Sequence, residues 1–359
     1  MGTLDSLGHL ETRVHLAYNF GMIKPPRSWN SRKHLTSVLS SEWYQTLGKI
    51  QSEVVKISIE FFFKNRFDFL LLPITTGSVS SPVGLGSDSL PVKVSIGGID
   101  SYLADSMQFY LELACRVNKT NTFYIAPSFR GEEADRRHLS QFFHIEAELS
   151  GNLDNSVTLV EDYLQFLTRK LYRSFKKEIT RLSGTTDHID LFLSLGEKRL
   201  PRCTFDEACK ILEVIATSNL VTKNNGFRVL TSDGERKLME HFGGFVWITN
   251  YDHISVPFYQ KFADKEMKTA SNADLLMGIG ETVGLGERHS TGNEIRKALK
   301  LHKVSARSYA WYIQMKDLVN MPTSGFGMGV ERYLLWLFKH DDIRDMQLVP
   351  RFNGVKDVL

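Results

Sequence analysis

Hydrophobic positions in the first part of the chain follow a helical period. The apolar residues that recur there at steps of three and four are Ile50, Val54, Ile57 and Phe61. In an α-helix these steps place side chains on one stripe of the surface. The pattern therefore predicts a helix over 48–64 with one buried face, followed by a strand, DFLLLP, that Pro73 ends.

Two later segments have the composition and period of strands. Residues 122–130 and 141–149 are rich in aromatic and aliphatic side chains, and a polar loop, GEEADRRHLS, separates them. In the second segment one face would carry Phe143, Ile145, Ala147 and Leu149, and the other Phe142, His144, Glu146 and Glu148. These segments predict an antiparallel hairpin with one face unusually rich in ionisable groups.

The remaining elements come in blocks and do not alternate as βαβ units do. A long helix is predicted over 155–182, and Thr204 with Glu207 forms a capping box for a helix that runs to about residue 215. The predicted sheet segments are 246–251, 275–288 and 324–332, and the last continues into an apolar helix, RYLLWLFK. Since strands cluster in this way, the predicted fold class is α+β around an antiparallel sheet.

Composition sets limits on the class of protein. The 359 residues are 42% hydrophobic and 24% charged, as in soluble globular proteins, and no apolar run approaches the roughly 18 residues of a membrane helix. We therefore expect no membrane association. A net charge of +3 is too small to predict nucleic-acid binding from electrostatics alone.

Cysteine usage and the N-terminus favour a cytoplasmic location. Cys115, Cys203 and Cys209 are too few and too scattered for a disulfide framework or a structural zinc site. The first residues lack the basic and apolar regions of a secretion signal. Gly2 and Ser6 match the myristoylation pattern, which is short enough to arise by chance.

The glycine-rich segments do not match the common nucleotide-binding motifs. Gly278-Ile-Gly280 and Gly325-Phe-Gly327-Met-Gly329 lack both the GxGxxG spacing and the setting of a dinucleotide fingerprint. A Walker loop is also absent from the sequence. A nucleotide site in this chain would need another architecture.

Another group of motifs resembles the class II aminoacyl-tRNA synthetases. Phe129-Arg130-Gly131-Glu132 and its loop are similar to motif 2, and Gly327-Met-Gly-Val-Glu331-Arg332 to motif 3. The segments SMQFYLE, RRHLSQFFHIEAEL, PRCTFDEA, GIGETVGLGER and IRDMQLVPR resemble asparaginyl-tRNA synthetases in the same order. The resemblance spans residues 48–351 and implies the class II catalytic fold, an antiparallel sheet of about six or seven strands flanked by helices.

This resemblance implies a site for ATP. A synthetase of this class joins a carboxylate to the α-phosphate of ATP, where fixed cations must stabilise the growing charge. Arg130 matches the α-phosphate arginine, Glu132 the residue that orients ATP or the amine, and Phe142 and Arg332 the pair that holds adenine. We expect Arg130, Glu132 and Arg332 to be catalytic. The other implied ATP-binding residues are His138, Gln141 and Glu281.

The resemblance also implies a magnesium site and an amino-acid pocket. Asp274 and Glu281 match the carboxylates that hold Mg²⁺ across the phosphates, for which oxygen ligands are suited. Arg288 matches the arginine that reads the side-chain carbonyl or carboxylate of the substrate. The other implied amino-acid-binding residues are Ser106, Gln108, His144 and Glu146. For His144 a purely structural role is equally open.

The sequence departs from the family pattern in several places. Residues 1–45 are too few for the five-stranded barrel of about a hundred residues that reads the anticodon, so tRNA is an uncertain partner. Gly286 stands where the family usually has Ser, Gly131 replaces Ala, and the motif 2 loop is one residue shorter. Leu111 stands where aspartyl enzymes place Lys. That favours an asparagine-type pocket, or aspartate bound in another orientation.

Three hypotheses for the function follow. The first is an ATP-dependent, AMP-forming ligase that makes asparagine from aspartate and ammonia. The second is a compact enzyme that loads an activated amino acid onto tRNA or another acceptor. The third is an inactive paralogue that serves as a binding subunit, although the presence of all the matching charged residues argues against it.

The resemblance also predicts how the chain is organised. We expect an N-terminal extension over 1–45 and a catalytic domain over 46–359. Motif 1 forms the subunit interface in this class, so a twofold homodimer is implied.

Overall fold

A large sheet with helices on both sides organises the protein. The computed structural model describes residues 21–29, 31–82, 90–196, 198–215, 220–224 and 226–351. Gly2 and Ser6 lie outside these residues. The helices are α1 (His34–Ser40), α2 (Glu42–Lys64), α3 (Gln108–Asn118), α4 (Leu153–Ser183), α5 (Asp187–Ser194), α6 (Phe205–Ile215), α7 (Ser232–His241), α8 (Gly292–Leu301), α9 (Ala310–Leu318) and α10 (Val330–Leu337). Within the described residues, no helix has the length and apolarity to cross a membrane.

The strands form one large and two small sheets. They are β1 (Phe67–Phe69), β2 (Thr75–Thr76), β3 (Val92–Ile96), β4 (Ile99–Leu103), β5 (Asn121–Phe129), β6 (Gln141–Ser150), β7 (Arg202–Thr204), β8 (Val221–Asn224), β9 (Phe227–Leu230), β10 (Phe245–Thr249), β11 (Asn272–Met277), β12 (Gly280–Glu287) and β13 (Thr323–Gly329). The large sheet has the order β1-β5-β6-β13-β12-β11-β10-β7. The α+β class is therefore confirmed.

In the described part of the chain the large sheet has eight strands, one or two more than predicted, and it is mixed. Its inner pairs are antiparallel, whereas β1 pairs with β5 and β7 with β10 in parallel. Both outermost strands have three residues each. An alternation of apolar and polar residues cannot be recognised over three residues. For this reason the sequence does not predict β7, and the predicted strand at β1 is too long.

The predicted helix and hairpin are present. The stripe on α2 is buried and packs on α4, with the rings of Phe61 and Tyr163 5.2 Å apart. On β6, Ile145, Ala147 and Leu149 are buried in the core as predicted, but Phe143 is 41% exposed. The capping box is also confirmed, since the Thr204 amide donates to Glu207 Oε2 at 2.8 Å.

The helix α2 begins earlier than predicted, at Glu42, where Ser41 caps it. Trp43 is buried in the main core and donates from Nε1 to the backbone oxygen of Asp345 at 3.0 Å. The described residues just before the predicted domain boundary are thus packed on the catalytic core. The boundary itself stays a prediction.

The segment 275–288, predicted as sheet, is divided into two strands by a tight turn. Gly278 lies in this turn with φ +71°, and a Cβ there would stand 2.9 Å from Cβ of Trp336 on α10. Glycine is the residue that tolerates both conditions. The turn makes β11 and β12 antiparallel neighbours and places Asp274 opposite Gly284.

Candidate active site

Two rows of residues that run across the sheet form the floor of the site. In the first, Glu146 on β6 lies opposite Gly327, Gly327 opposite Gly284, and Gly284 opposite Asp274. Residues that are directly opposite point to the same face of a sheet. Two glycines without side chains therefore separate Glu146 from Asp274.

The second row repeats this arrangement two residues further along each strand. Its members, in order, are Glu148, Gly325, Gly286 and Asn272. The residues between the glycines, such as Leu285 and Phe326, face the opposite side and are buried in the core. The glycines at every second position therefore form the floor of a trough, and acidic and amide side chains line its edges.

A cavity of about 570 Å³ lies over this floor and brings together most of the predicted site residues. Those that line it are Ser106, Gln108, Arg130, Glu132, His138, His144, Glu146, Asp274, Glu281, Arg288 and Arg332. Phe142 lines an adjoining cavity that also contacts Arg130 and Arg332. Gln141 is the exception, because it lines neither cavity, and its backbone oxygen accepts from Gln347 Nε2 at 3.0 Å.

Arg130 lies at the start of the loop that joins β5 to β6. Its backbone amide donates to Ser140 at 2.9 Å, and its guanidinium stands 5.5 Å from the centre of the Phe142 ring. Arg130 therefore lies over this ring, and the pairing of Phe142 with Arg332 around adenine stays a prediction. Arg130 Nε and the nearby Glu132 Oε2 are buried without a hydrogen-bond partner among the described residues. Such groups are explained by a ligand that supplies the partners.

Arg332 enters the cavity from the first turn of α10. It donates to the backbone oxygen of Glu281, and its Nη1 atom lies 3.9 Å from the Glu281 carboxylate. Burial lowers the pKa of Arg332, Glu281 opposes this effect, and the charge of Arg130 adds to the lowering. Burial and the Arg332 charge likewise lower the pKa of His138. Cationic groups separated by some two hundred residues in the sequence therefore meet in one place.

Two carboxylates face each other across Gly284. A Cβ on this glycine would lie 2.7 Å from Glu281 Oε1 and 3.6 Å from Asp274 Oδ1. Burial and the negative charge of Glu281 raise the pKa of Asp274 well above its usual value. A cation between them would relieve this repulsion.

The donor set fits Mg²⁺ held together with a nucleotide. No group of three or more His, Cys, Asp or Glu side chains in the described ranges is arranged to hold a metal. Mg²⁺ is commonly bound by one or two carboxylates, with substrate phosphates and water completing its shell. Asp274 and Glu281 could supply these carboxylates, and phosphates held by the arginines the remainder.

Arg288 lines the same cavity and is almost fully buried. Its Nε and Nη2 atoms donate to Glu148 at 3.3 and 3.1 Å, and Nη1 donates to Gln260 Oε1 at 3.2 Å. Burial alone would lower its pKa, but the Glu148 and Tyr259 charges raise it. Gln108, one of the predicted pocket residues, donates to the backbone oxygen of Ala147 at 3.0 Å.

Glu146 is nearly inaccessible and receives several hydrogen bonds. Met107 donates its amide to Oε2 at 3.2 Å, and His144 Nδ1 lies 3.2 Å from Oε1. Burial would raise the pKa of Glu146, but bonds from His144, Ser106 and Tyr124 outweigh it and lower the pKa. His144 also hydrogen-bonds Ser128 at 2.9 Å, so it holds the pocket wall in place.

Sequence reasoning missed several residues of the site. Glu235 on α7 pairs with Arg137 of the motif 2 loop and lines the cavity, as does Gln260. Each lies in a segment without a recognised motif. The glycines at alternate positions could have indicated the site from the sequence. Glycine at every second position of a predicted strand leaves one face of the strand bare, so that a ligand or another segment can approach it closely.

Comparison with known proteins agrees with this geometry. The family model "tRNA synthetases class II (D, K and N)" matches residues 29–353. Asparaginyl-tRNA synthetase from Pyrococcus horikoshii, solved with asparaginyl-adenylate, superposes with a TM-score of 0.80 at 24% identity, covering 92% of this chain and 73% of that one. The Entamoeba histolytica asparaginyl-tRNA synthetase gives 0.77 at 23% identity, over 90% of this chain and 70% of that one.

A putative aspartyl-tRNA synthetase from Leishmania major Friedlin gives a TM-score of 0.75 at 18% identity, over 91% of this chain and 68% of that one. At these identities the superpositions show the fold, and the family match, which covers most of the chain, shows the family. This protein belongs to the class II tRNA synthetases of the D, K and N type, a family of ATP-dependent ligases that use Mg²⁺ to activate amino acids as adenylates.

Proposed function

We propose that this protein activates the side-chain carboxylate of aspartate with ATP and transfers the acyl group to ammonia, which yields asparagine, AMP and pyrophosphate. One observation carries the proposal: Arg130, Arg332 and the Asp274–Glu281 pair line the same cavity as Arg288. A triphosphate and a small dicarboxylate can therefore lie next to each other.

In the first step a carboxylate oxygen of aspartate bonds to the α-phosphorus, and the bond from that phosphorus to the β-phosphate oxygen breaks. Arg130 would donate to the α-phosphate oxygens, where its planar guanidinium matches their spacing. Asp274 and Glu281 would hold Mg²⁺, which supplies positive charge at the phosphates. The hydrogen bond from Arg332 to the Glu281 backbone would keep this side of the cavity in place.

In the second step the nitrogen of ammonia attacks the acyl carbon, AMP leaves, and a proton is released to solvent. The chain needs no nucleophile for this step, because the adenylate is already activated. Its residues orient the substrates and exclude competing water.

The choice of the side-chain carboxylate rests on Leu111. This residue is buried in an apolar cluster with Ala104, Met107 and Tyr124, so it offers no charge to a second carboxylate. Arg288 is then the residue that would hold one carboxylate of aspartate. We assign that position to the α-carboxylate, which leaves the side chain free to react.

The test is a panel of ATP–pyrophosphate exchange assays across amino acids, with and without ammonia. We expect exchange with aspartate, and asparagine with AMP when ammonia is added. Hydroxylamine, which traps the activated carbonyl, should give the β-hydroxamate of aspartate. Absence of exchange with aspartate would refute the proposal, and the α-hydroxamate would refute the assigned orientation.

A second candidate is favoured by the family match, since that family model describes tRNA synthetases. In this case the adenylate would pass its acyl group to tRNA. Acid-precipitable labelled amino acid on tRNA, with exchange unaffected by ammonia, would favour this candidate over the first.

A further inference from the structure

Gln260 lies directly beside the arginine that would hold the amino acid. Gln260 and Arg288 are partners in an antiparallel β-bridge, and Lys261 donates its amide to the Glu287 backbone oxygen at 2.7 Å. Partners in such a bridge have neighbouring side chains. The backbone of Gln260 is held on its other side, because its oxygen lies 2.8 Å from His253 Nε2.

The amide of Gln260 occupies space that a side chain at position 286 would need. A Cβ built on Gly286 would lie 1.6 Å from Gln260 Oε1 and 2.9 Å from its Nε2. Gly286 is also the position where the sequence departs from the serine that is usual in the resembling family. The absence of a side chain at position 286 therefore leaves room for the carboxamide of Gln260 in the floor.

The two polar atoms of this amide have different surroundings. Gln260 Oε1 accepts from Arg288 Nη1 at 3.2 Å, whereas Gln260 Nε2 forms no hydrogen bond within the described part of the chain. Gln260 and Arg288 both line the cavity. The floor around Gln260 and Arg288 consequently presents amide and guanidinium N–H donors to a ligand that enters the cavity.

The neighbouring carboxylates already accept hydrogen bonds from within the chain. Glu146 receives bonds from Met107, His144, Ser106 and Tyr124, and Glu148 from Arg288 and Gln108. Asp105 accepts from the amides of Ser80 and Ser81 and from the Ser80 hydroxyl, at 2.7 to 2.9 Å. These three carboxylates lie close enough to Tyr259, the ring beside Arg288, for their charges to act on its hydroxyl.

We propose that Gln260 is a specificity-determining residue, which binds the non-reacting carboxylate of the substrate together with Arg288 and so selects aspartate against asparagine. A carboxylate only accepts hydrogen bonds and matches a floor of donors. Asparagine carries the same α-carboxylate, but this is its only group that can form an adenylate, so its side-chain amide would have to lie beside Gln260 and Arg288. There its two N–H donors would meet other donors, next to carboxylates that already accept hydrogen bonds. Leaving those donors unpaired in a buried site reduces affinity. This inference rests on the proposed activation of an amino acid at this site.

The test compares Gln260→Glu and Gln260→Met with the unmodified enzyme in pyrophosphate exchange with aspartate and with asparagine. Glu retains an acceptor for Arg288 but replaces the donor by a negative charge, so it repels a carboxylate and accepts from an amide. For Gln260→Glu we expect the ratio of kcat/KM for aspartate to that for asparagine to fall by about tenfold or more. Gln260→Met, which keeps the size without the donor, should lower the same ratio less.

Gln314→Glu is the matched control, because Gln314 is exposed on α9. It should leave the ratio unchanged, and thermal unfolding of each variant shows whether the fold is retained. If the unmodified enzyme exchanges with aspartate and both Gln260 variants keep the original ratio, this inference is overturned and the proposed activation stands. If the unmodified enzyme prefers asparagine, both are overturned. If neither amino acid supports exchange, both are overturned.

Discussion

At the scale of single residues, the cavity contains polar atoms that the described chain does not pair. Arg130 Nε and Glu132 Oε2 are buried in this way. A buried polar group without a partner costs about 1 to 3 kcal/mol, so the fold retains them at the expense of stability. The chemistry of the proposed reaction explains the retention, because the α-phosphate and the amine or ribose of the substrates would provide partners.

We predict that Arg130→Lys lowers the rate of pyrophosphate exchange by about 10²- to 10³-fold, because an ammonium group cannot reproduce the forked contact with two phosphate oxygens. Arg136→Lys is the control. This residue lies in the same loop, but its side chain is 62% exposed and contacts Asp341 at 3.7 Å. Equal rates in both variants would contradict the role assigned to Arg130.

At the scale of elements, the strands β12 and β13 shape the site because their glycines leave space where other residues would place side chains. Gly284 lies between the two acidic side chains, and a methyl group there would stand 2.7 Å from Glu281 Oε1. The carboxylate would have to move away from Asp274. The position of the proposed magnesium site therefore depends on a residue that makes no contact with the ion.

We predict that Gly284→Ala raises the Mg²⁺ concentration needed for half-maximal exchange by about tenfold, as changes beside metal ligands commonly do. A titration of exchange rate against Mg²⁺ measures this. Gly48→Ala in α2 is the control, since its Cβ would make only an ordinary contact, at 3.6 Å, with Leu348. An unchanged Mg²⁺ requirement in Gly284→Ala would place the metal elsewhere.

Elements with a motif or a clear period could be predicted from the sequence, and the others could not. The β5–β6 hairpin was predictable because its two segments are long and its loop is polar, and Arg130 with Arg332 because a family motif surrounds each. Gln260 has no motif, and its role depends on a bridge to Arg288, 28 residues away. Such tertiary contacts leave no trace in local periodicity.

At the scale of the whole molecule, a buried ion network joins α3, α9 and β13. The Lys316 ammonium contacts Glu112, which also accepts from the Thr323 hydroxyl at 3.2 Å, and both charged side chains are inaccessible. Arg116 lies 3.5 Å from the same carboxylate. Burial would raise the pKa of Glu112, but Lys316 and Arg116 hold it below its usual range.

We predict that Lys316→Met destabilises the protein by about 3 to 5 kcal/mol, because it removes one member of a buried charge cluster and leaves the negative charge undercompensated. Urea unfolding followed by circular dichroism measures the change. Lys297→Met, at an exposed position of α8, should have almost no effect. A loss below 1 kcal/mol for Lys316→Met would show that the network is not needed for stability.

The outer edge of the large sheet carries apolar side chains that the described chain leaves exposed. Leu71 just after β1 is 93% exposed, and Phe69 and Ile74 are also exposed. This agrees with a second subunit on that edge.

Light scattering should give a mass of about twice 41.0 kDa, and Leu71→Asp should shift the measured mass toward that of the monomer. A monomeric unmodified protein would contradict the homodimer.

The position of β13 in the sheet has a consequence for protein synthesis. Among the strands of the described residues this one is the last to leave the ribosome, yet it lies between β6 and β12 in the middle of the sheet. Until it arrives, the nascent chain carries two unsatisfied strand edges in its interior, which are the kind of surface that promotes aggregation. Cells should therefore need chaperones for this protein during translation, and a messenger truncated before codon 323 should yield insoluble product.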